Sequence, residues 1–290
     1  MDTFVIQIIN SLFYASILFL IASGLTLIYG VMRIVNMAHG NLFALGAYVT
    51  AWVALAFPGA PPVVLFLLLP AGAVAAGLAG AVIEPTLLRP LYKRAEEYQL
   101  LITFGLLLIL EDLMRLLWGA HPLSPGAVSD LLGSSSILGS TYPNYNLLVV
   151  AVGFVAAACL WAFVYKTKFG VILRATSQDR RMASALGVNV TRVYVQAFTI
   201  GCFMAGLGGA ITVPITGAVL GMGVDALVLA FVVVVVGGLG SLEGALIGAI
   251  IVGFVRTLGI TFFPEIELAV LYLFAAVVLL ARPAGLFGRA

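Results

Sequence analysis

Long apolar stretches, separated by short polar ones, run through the whole chain. Nine of them present themselves as helical spans at about 5–30, 37–57, 63–83, 99–118, 147–165, 194–215, 219–238, 243–262 and 268–281, built mainly from Leu, Val, Ala, Phe, Ile and Gly. A helix needs ~20 such residues to cross the hydrocarbon core of a bilayer. The pattern predicts an all-α polytopic membrane protein of eight or nine transmembrane helices. The stretch between Pro214 and Gly240 is so rich in glycine that one of the nine can be a broken or re-entrant segment, which is tolerated at membrane depth where it lines a cavity.

Composition agrees with the pattern. Of 290 residues, 63% are hydrophobic and 9% charged, against roughly a quarter charged in an ordinary soluble domain. So few ionic side chains cannot cover a water-soluble globule. The whole of 1–290 is therefore expected to be one integral-membrane domain lying in the bilayer. The first stretch has no Lys or Arg before Arg33 and carries Asp2, so it reads as a retained span and not as a cleaved signal peptide.

Charge distribution sets the orientation, because Lys and Arg are retained on the cytoplasmic side. Arg89, Lys93 and Arg94 share one connection; Lys166, Lys168, Arg174, Arg180, Arg181 and Arg192 share another; Arg282 and Arg289 lie in the tail. The connections 58–62, 119–146 and 263–267 hold no Lys or Arg, and their Pro, Gly, Ser and Asn content reads as exposed turns on the other side. With nine spans the N-terminus falls outside. This membrane logic accounts for the basic residues, and no nucleic-acid partner is implied.

Catalytic motifs are missing. The three lysines follow Tyr92, Tyr165 and Thr167, so none can complete a phosphate-cradling Gly-Lys-Ser/Thr loop. His39 and His121 are the only histidines, and Cys159 and Cys202 sit far apart in apolar runs. Neither a metal site, nor a disulfide framework, nor a nucleophile–base grouping can be assembled. No cofactor is implied, and the chemistry points to passage, not bond-making.

Three segments stand out as candidate function. Asn36, His39, Gly40 and Asn41 interrupt two apolar runs. Polar groups at such a depth need an interior partner or a water-filled path, which makes them candidates for a solute pathway. The plainer alternative has Arg33 and its neighbours in a cytosolic turn, Asn36 as an N-cap and His39 at the interface. Gly237, Gly238, Gly240 and Ser241 follow a run of five valines and suggest a bend or break on the same pathway. Gly240, Gly244 and Gly248, spaced by four, also suit close helix packing, and Glu243 suits the cytosolic interface. An ionisable-residue-Gly-x-Leu opening recurs at His39 and Glu243, a possible internal repeat of the kind transporters carry.

The third segment lies within 166–193 on the cytosolic side. From Arg174 to Gly187 it reads as one short amphipathic helix: Met182, Ala185 and Leu186 form an apolar stripe flanked by Asp179 and Arg180, with Gly187 as a stop. Such a helix suits docking to a cytosolic partner. Among isolated charges, Glu111 and Arg115 are spaced to pair at i, i+4, and Arg256 can snorkel to the outer interface.

The blocks Gly24-Leu25-Thr26-Leu27-Ile28-Tyr29-Gly30 and Ile34-Val35-Asn36-Met37-Ala38-His39-Gly40, then Gly237-Gly238-Leu239-Gly240-Ser241 and the tail Arg282-Pro283-Ala284-Gly285-Leu286-Phe287-Gly288-Arg289, resemble the permeases of branched-chain amino acid ABC importers, in particular the shorter permease. That resemblance implies a bacterial inner-membrane subunit working with a second permease, two cytosolic ATPase subunits and a periplasmic substrate-binding protein. Solute would pass by alternating access driven by ATP hydrolysis in the partners. It also implies that Gln178, Asp179, Arg180, Arg181, Met182, Ala183, Ala185, Leu186 and Gly187 form the loop that docks into the ATPase. Departures from the family pattern at Leu229 and Glu243 keep urea and short amides open as solutes. An ion-coupled secondary transporter would need a mid-membrane carboxylate that no span clearly offers.

Overall fold

A computed structural model describes residues 2–57, 64, 66–67, 69–92, 94–125, 127–137 and 139–288. Its principal helices are α1 (Asp2–Met32), α2 (His39–Ala56), α3 (Pro70–Ile83), α4 (Glu96–Trp118), α5 (Asn144–Lys166), α6 (Lys168–Gln178), α7 (Arg180–Ala185), α8 (Val190–Thr216), α9 (Met222–Gly237), α10 (Leu242–Phe262) and α11 (Glu267–Ala281). Each of the nine apolar stretches contains one of these helices, although part of 63–69 lies outside the described residues. The protein is an all-α polytopic membrane protein. Among the described residues, six stretches are long and apolar enough to cross a bilayer: Phe4–Met32, Pro70–Leu91, Asn144–Lys166, Val190–Thr216, Leu242–Phe262 and Pro264–Ala281. The other three fall short for visible reasons. α2 opens on polar His39 and Asn41, α4 carries Glu111, Asp112 and Arg115, and α9 has 16 residues.

Helices α1, α2, α3 and α8 make the centre, with α10 packed along α1. Lipid tails are as apolar as leucine, so helices associate in a bilayer through close van der Waals fit at small residues. Here α2, α3 and α8 meet at Gly46, Gly72 and Gly206, where a Cβ added to Gly46 would lie 2.3 Å from the Gly206 carbonyl oxygen. The outer helices turn large side chains away from this centre, among them Leu116 on α4 and Leu280 on α11, which are 81% and 87% exposed. A soluble protein rarely spreads leucines this way; a lipid-facing surface does.

The two ends of the bundle are distinct. One carries a hairpin, Ser134–Ile137 paired antiparallel with Ser140–Pro143, inside the 119–146 connection read as turns. The Tyr142 hydroxyl donates to Asn10 Oδ1 at 2.9 Å, so the first turns of α1 lie at the hairpin end. The basic α6–α7 segment lies at the other end, beside the close of α1, as the charge distribution requires.

At that second end α3 does not stop cleanly. Pro85 has no N–H to give, and the backbone widens into a π turn at Glu84–Leu88 followed by a 3-10 turn at Arg89–Leu91. Glu84 is fully buried there, pairs with Arg89 at 3.0 Å and accepts a hydrogen bond from the Tyr92 hydroxyl. Burial and the Glu84 contact both push the Tyr92 phenol pKa up. Removing one member of a buried pair strands its partner, but Arg89 is 41% exposed and can rehydrate, so Glu84→Ala is expected to cost about 2 kcal/mol. Thermal unfolding in nanodiscs measures this; an unchanged midpoint would show the cluster to be neutral.

One expected pairing is replaced and one lone charge finds a partner. Glu111 does not pair with Arg115: its Oε1 accepts from the Gly221 backbone N–H at 2.6 Å, at the N-terminus of α9, where a carboxylate meets the positive helix end. Arg256 does not simply snorkel, because its guanidinium sits over the Tyr14 ring, 4.7 Å from the centroid.

Candidate functional site

The polar interruption after α1 turns at Arg33 beside the basic segment, but from Asn36 onward it does not stay at that end. His39 Nε2 lies 2.9 Å from the Ile21 carbonyl oxygen. Ile21 stands about 17 Å along α1 from Met32, at a rise of 1.5 Å per residue. Residues 33–38 therefore climb back along α1, and α2 begins deep in the bundle. Arg33, with φ +59°, is the only non-glycine residue in the left-handed region among those described, and it makes the reversal. Asn36 is no N-cap; its Oδ1 accepts from Ala38 N at 3.1 Å and stabilises the climb. His39 is wholly buried, not interfacial.

A second helix start meets the first at the same depth. α9 begins after the glycine-rich return 217–221, whose strand-like bridge Leu123–Ala218 holds it at the hairpin end. Its Gly223 faces Gly40 and Asn41: a Cβ on Gly40 would lie 1.9 Å from the Gly223 carbonyl oxygen. Asn41 Nδ2 donates to the Leu107 carbonyl oxygen at 2.6 Å, which ties both starts to α4. Asn36, His39, Gly40 and Asn41 thus come together in one fully buried nest between helices. Within it Asn36 Nδ2, His39 Nδ1 and Asn41 Oδ1 have no partner in the protein. Broken helices with positive ends converging on unpartnered polar atoms are the usual construction of a membrane site. Sequence reasoning missed Gly223 and gave Glu111 a different partner, because nothing in a linear pattern brings them to Asn41 and Gly221.

The other pathway candidates sit at the end that carries the basic α6–α7 segment. Gly237 closes α9, Gly238 (φ +107°) and Gly240 (φ +80°) form the break, and the Ser241 hydroxyl caps α10 by accepting from Gly244 N at 3.0 Å. Gly240 is outside α10, so the glycine face of that helix consists of Gly244 and Gly248, packed on Gly237. The tail closes over the break, with Leu286 N donating to the Val236 carbonyl and Phe287 N to that of Gly237, both at 2.9 Å. The two groups of pathway residues therefore occupy opposite ends of α9.

The segment expected to dock as one helix is two helices. α6 ends at Gln178 and α7 starts at Arg180, because the Asp179 side chain caps α7 by accepting from Arg181 N and Met182 N at 2.8 and 3.0 Å. α7 ends in a Schellman arrangement: Val188 N donates to the Ala183 carbonyl and Gly187 N to that of Ser184, with Gly187 at φ +86°. Ala183 is buried against the body, whereas Met182 and Leu186 are 59% and 79% exposed. Ala185, Gln178, Arg180 and Arg181 are exposed as well. Among the described residues no group of three or more His, Cys, Asp and Glu is placed to hold a metal ion.

Comparison with known proteins matches residues 7–281 to a family described as branched-chain amino acid transport system, permease component. The high-affinity branched-chain amino acid transport system permease protein LivH of Salmonella typhimurium is 29% identical over 300 residues, covering 99% of this chain and 96% of LivH. BraD of Pseudomonas aeruginosa, of the same description, is 29% identical over 98% of this chain and 95% of its own. A probable branched-chain amino acid transport permease protein LivH of Methanocaldococcus jannaschii is 29% identical over 86% and 79%.

Proposed function

The chain belongs to the family of branched-chain amino acid transport permeases, and from that membership we propose that it moves branched-chain amino acids into the cytosol as the shorter of two permeases in a binding-protein-dependent importer of the bacterial inner membrane. It forms one integral-membrane domain. Two cytosolic ATPase subunits supply the energy, and a periplasmic binding protein delivers solute at the hairpin end.

The observation that carries this reading is α7. A six-residue helix capped at both ends, anchored by buried Ala183 and offering Met182, Ala185 and Leu186 to the cytosol, is a rigid apolar protrusion of the kind that anchors a protein interface. Residues Gln178–Gly187 seat in the ATPase, and ATP-driven displacement of α6–α7 reaches the Gly237–Ser241 break and the Asn36–Asn41 nest. The two half-helix starts then part and close in alternation, which is alternating access built from rigid pieces.

Uptake of labelled leucine into proteoliposomes that hold this chain with its ATPases and second permease, ATP inside and binding protein outside, tests the proposal. Uptake is expected to require both. Uptake of urea or an amide under the same dependence would retain the role and replace the solute; uptake without ATP would overturn the role.

A further inference from the structure

A cytosolic cavity of about 510 Å³ lies between the end of α1, helix α6 and the Gly237–Ser241 break. That volume is within the roughly 300–1,000 Å³ of small-molecule sites. Its ionic lining is unusual for so uncharged a chain: Arg33 from the reversal, Arg174 from α6 and Glu243 from the first turn of α10. Among the described residues the ion pair of Arg89 with Glu84 is the only one formed, so none of these three is neutralised by another.

Two polar atoms in the wall are buried without a partner, the Thr26 hydroxyl and Arg174 Nε. Arg174 is held in place by stacking over the Tyr165 ring, 4.9 Å from its centroid. A guanidinium held in one orientation at a cavity wall is a carboxylate receptor. A carboxylate across the same cavity suits an ammonium group.

We propose that this cavity binds a small zwitterion carrying one carboxylate and one ammonium group, the carboxylate on Arg174 and Arg33 and the ammonium on Glu243. Resting on the importer reading above, the ligand is imported amino acid that has accumulated in the cytosol. The walls belong to α6, to the end of α1 and to the break, which are the parts that must shift for access to alternate. A ligand bridging them favours the one conformation that has this cavity and shifts the population toward it. The site therefore slows import as product builds up.

The test uses the complete transporter. In proteoliposomes with ATP inside, leucine trapped inside is expected to lower the initial rate of binding-protein-dependent uptake several-fold, and Arg174→Gln is expected to bring the ratio of rates with and without internal leucine close to one. Binding of labelled leucine to the purified complex in nanodiscs, without binding protein, separates the two charges. Glu243→Gln should weaken leucine about tenfold, from the loss of one charged contact, and leave isovalerate, an anion without the ammonium, bound at least as tightly. The retained isovalerate binding also shows the variant to be folded. If uptake ignores internal leucine, or if Glu243→Gln leaves leucine binding intact, the zwitterion site is overturned. A wild-type complex whose ATPase fails to respond to loaded binding protein would instead overturn the importer reading.

Discussion

Gly40→Ala will sharply lower accumulation of the folded protein in the membrane, although it adds one methyl group. The Cβ it introduces would fall 1.9 Å from the Gly223 carbonyl oxygen and 2.7 Å from Leu227 Cβ, both on α9. Overpacking usually costs 1–3 kcal/mol because side chains move aside, but here the obstacle is backbone and α2 itself must shift. Moving α2 also pulls Asn41 from Leu107 and His39 from Ile21. A cost of about 3 kcal/mol or more corresponds to about a 100-fold fall in the folded-to-unfolded ratio. Gly105→Ala is the control: nothing lies within 4 Å of that position, and alanine favours a helix by about 1 kcal/mol. Fluorescence-detected size exclusion of both variants measures the difference. Equal yields would show that α2 and α9 are not in contact.

Leu186→Glu combined with Met182→Ser will leave the fold intact and cut ATP-dependent uptake about 30-fold or more. Both side chains are exposed, and surface substitutions of this kind change stability by roughly ±0.5 kcal/mol. At the centre of an interface, losing an apolar anchor costs about 2 kcal/mol, and a carboxylate placed there adds a desolvation cost. Uptake together with co-purification of the ATPase subunits reads the effect. Wild-type uptake in the double variant would sink the docking role of α7. Ala183→Leu provides the contrast, since Ala183 is 3% exposed and must disturb the body before it disturbs any partner.

Apolar run length was enough to place a helix in each apolar stretch among the described residues, because a bilayer leaves the backbone only one economical way to cross. The capping chemistry of α7 was half legible. Gly187 announced a stop, but Asp179, taken as a flank of the stripe, turned out to be the residue that ends α6 and starts α7. Asn36, His39 and Asn41 were identified as unusual from their type alone. Their depth was not, because a six-residue reversal has no periodicity and depends on where α1 and α4 offer carbonyl oxygens. The sealing of the 237–241 break by the tail was invisible for the same reason: Leu286 and Phe287 act through backbone N–H groups, which carry no sequence signature.

What the sequence determined by itself was what solvent dictates: the all-α polytopic architecture and the approximate spans, both of which follow from the cost of polar groups in hydrocarbon. What only the tertiary structure decided was which polar groups meet. Two half-helices start at one depth, Glu111 faces Gly221 and not Arg115, and Arg33, Arg174 and Glu243 border one cavity. Those choices rest on carbonyl oxygens and glycine contacts between segments distant in the chain, and such contacts exist only once the helices are packed.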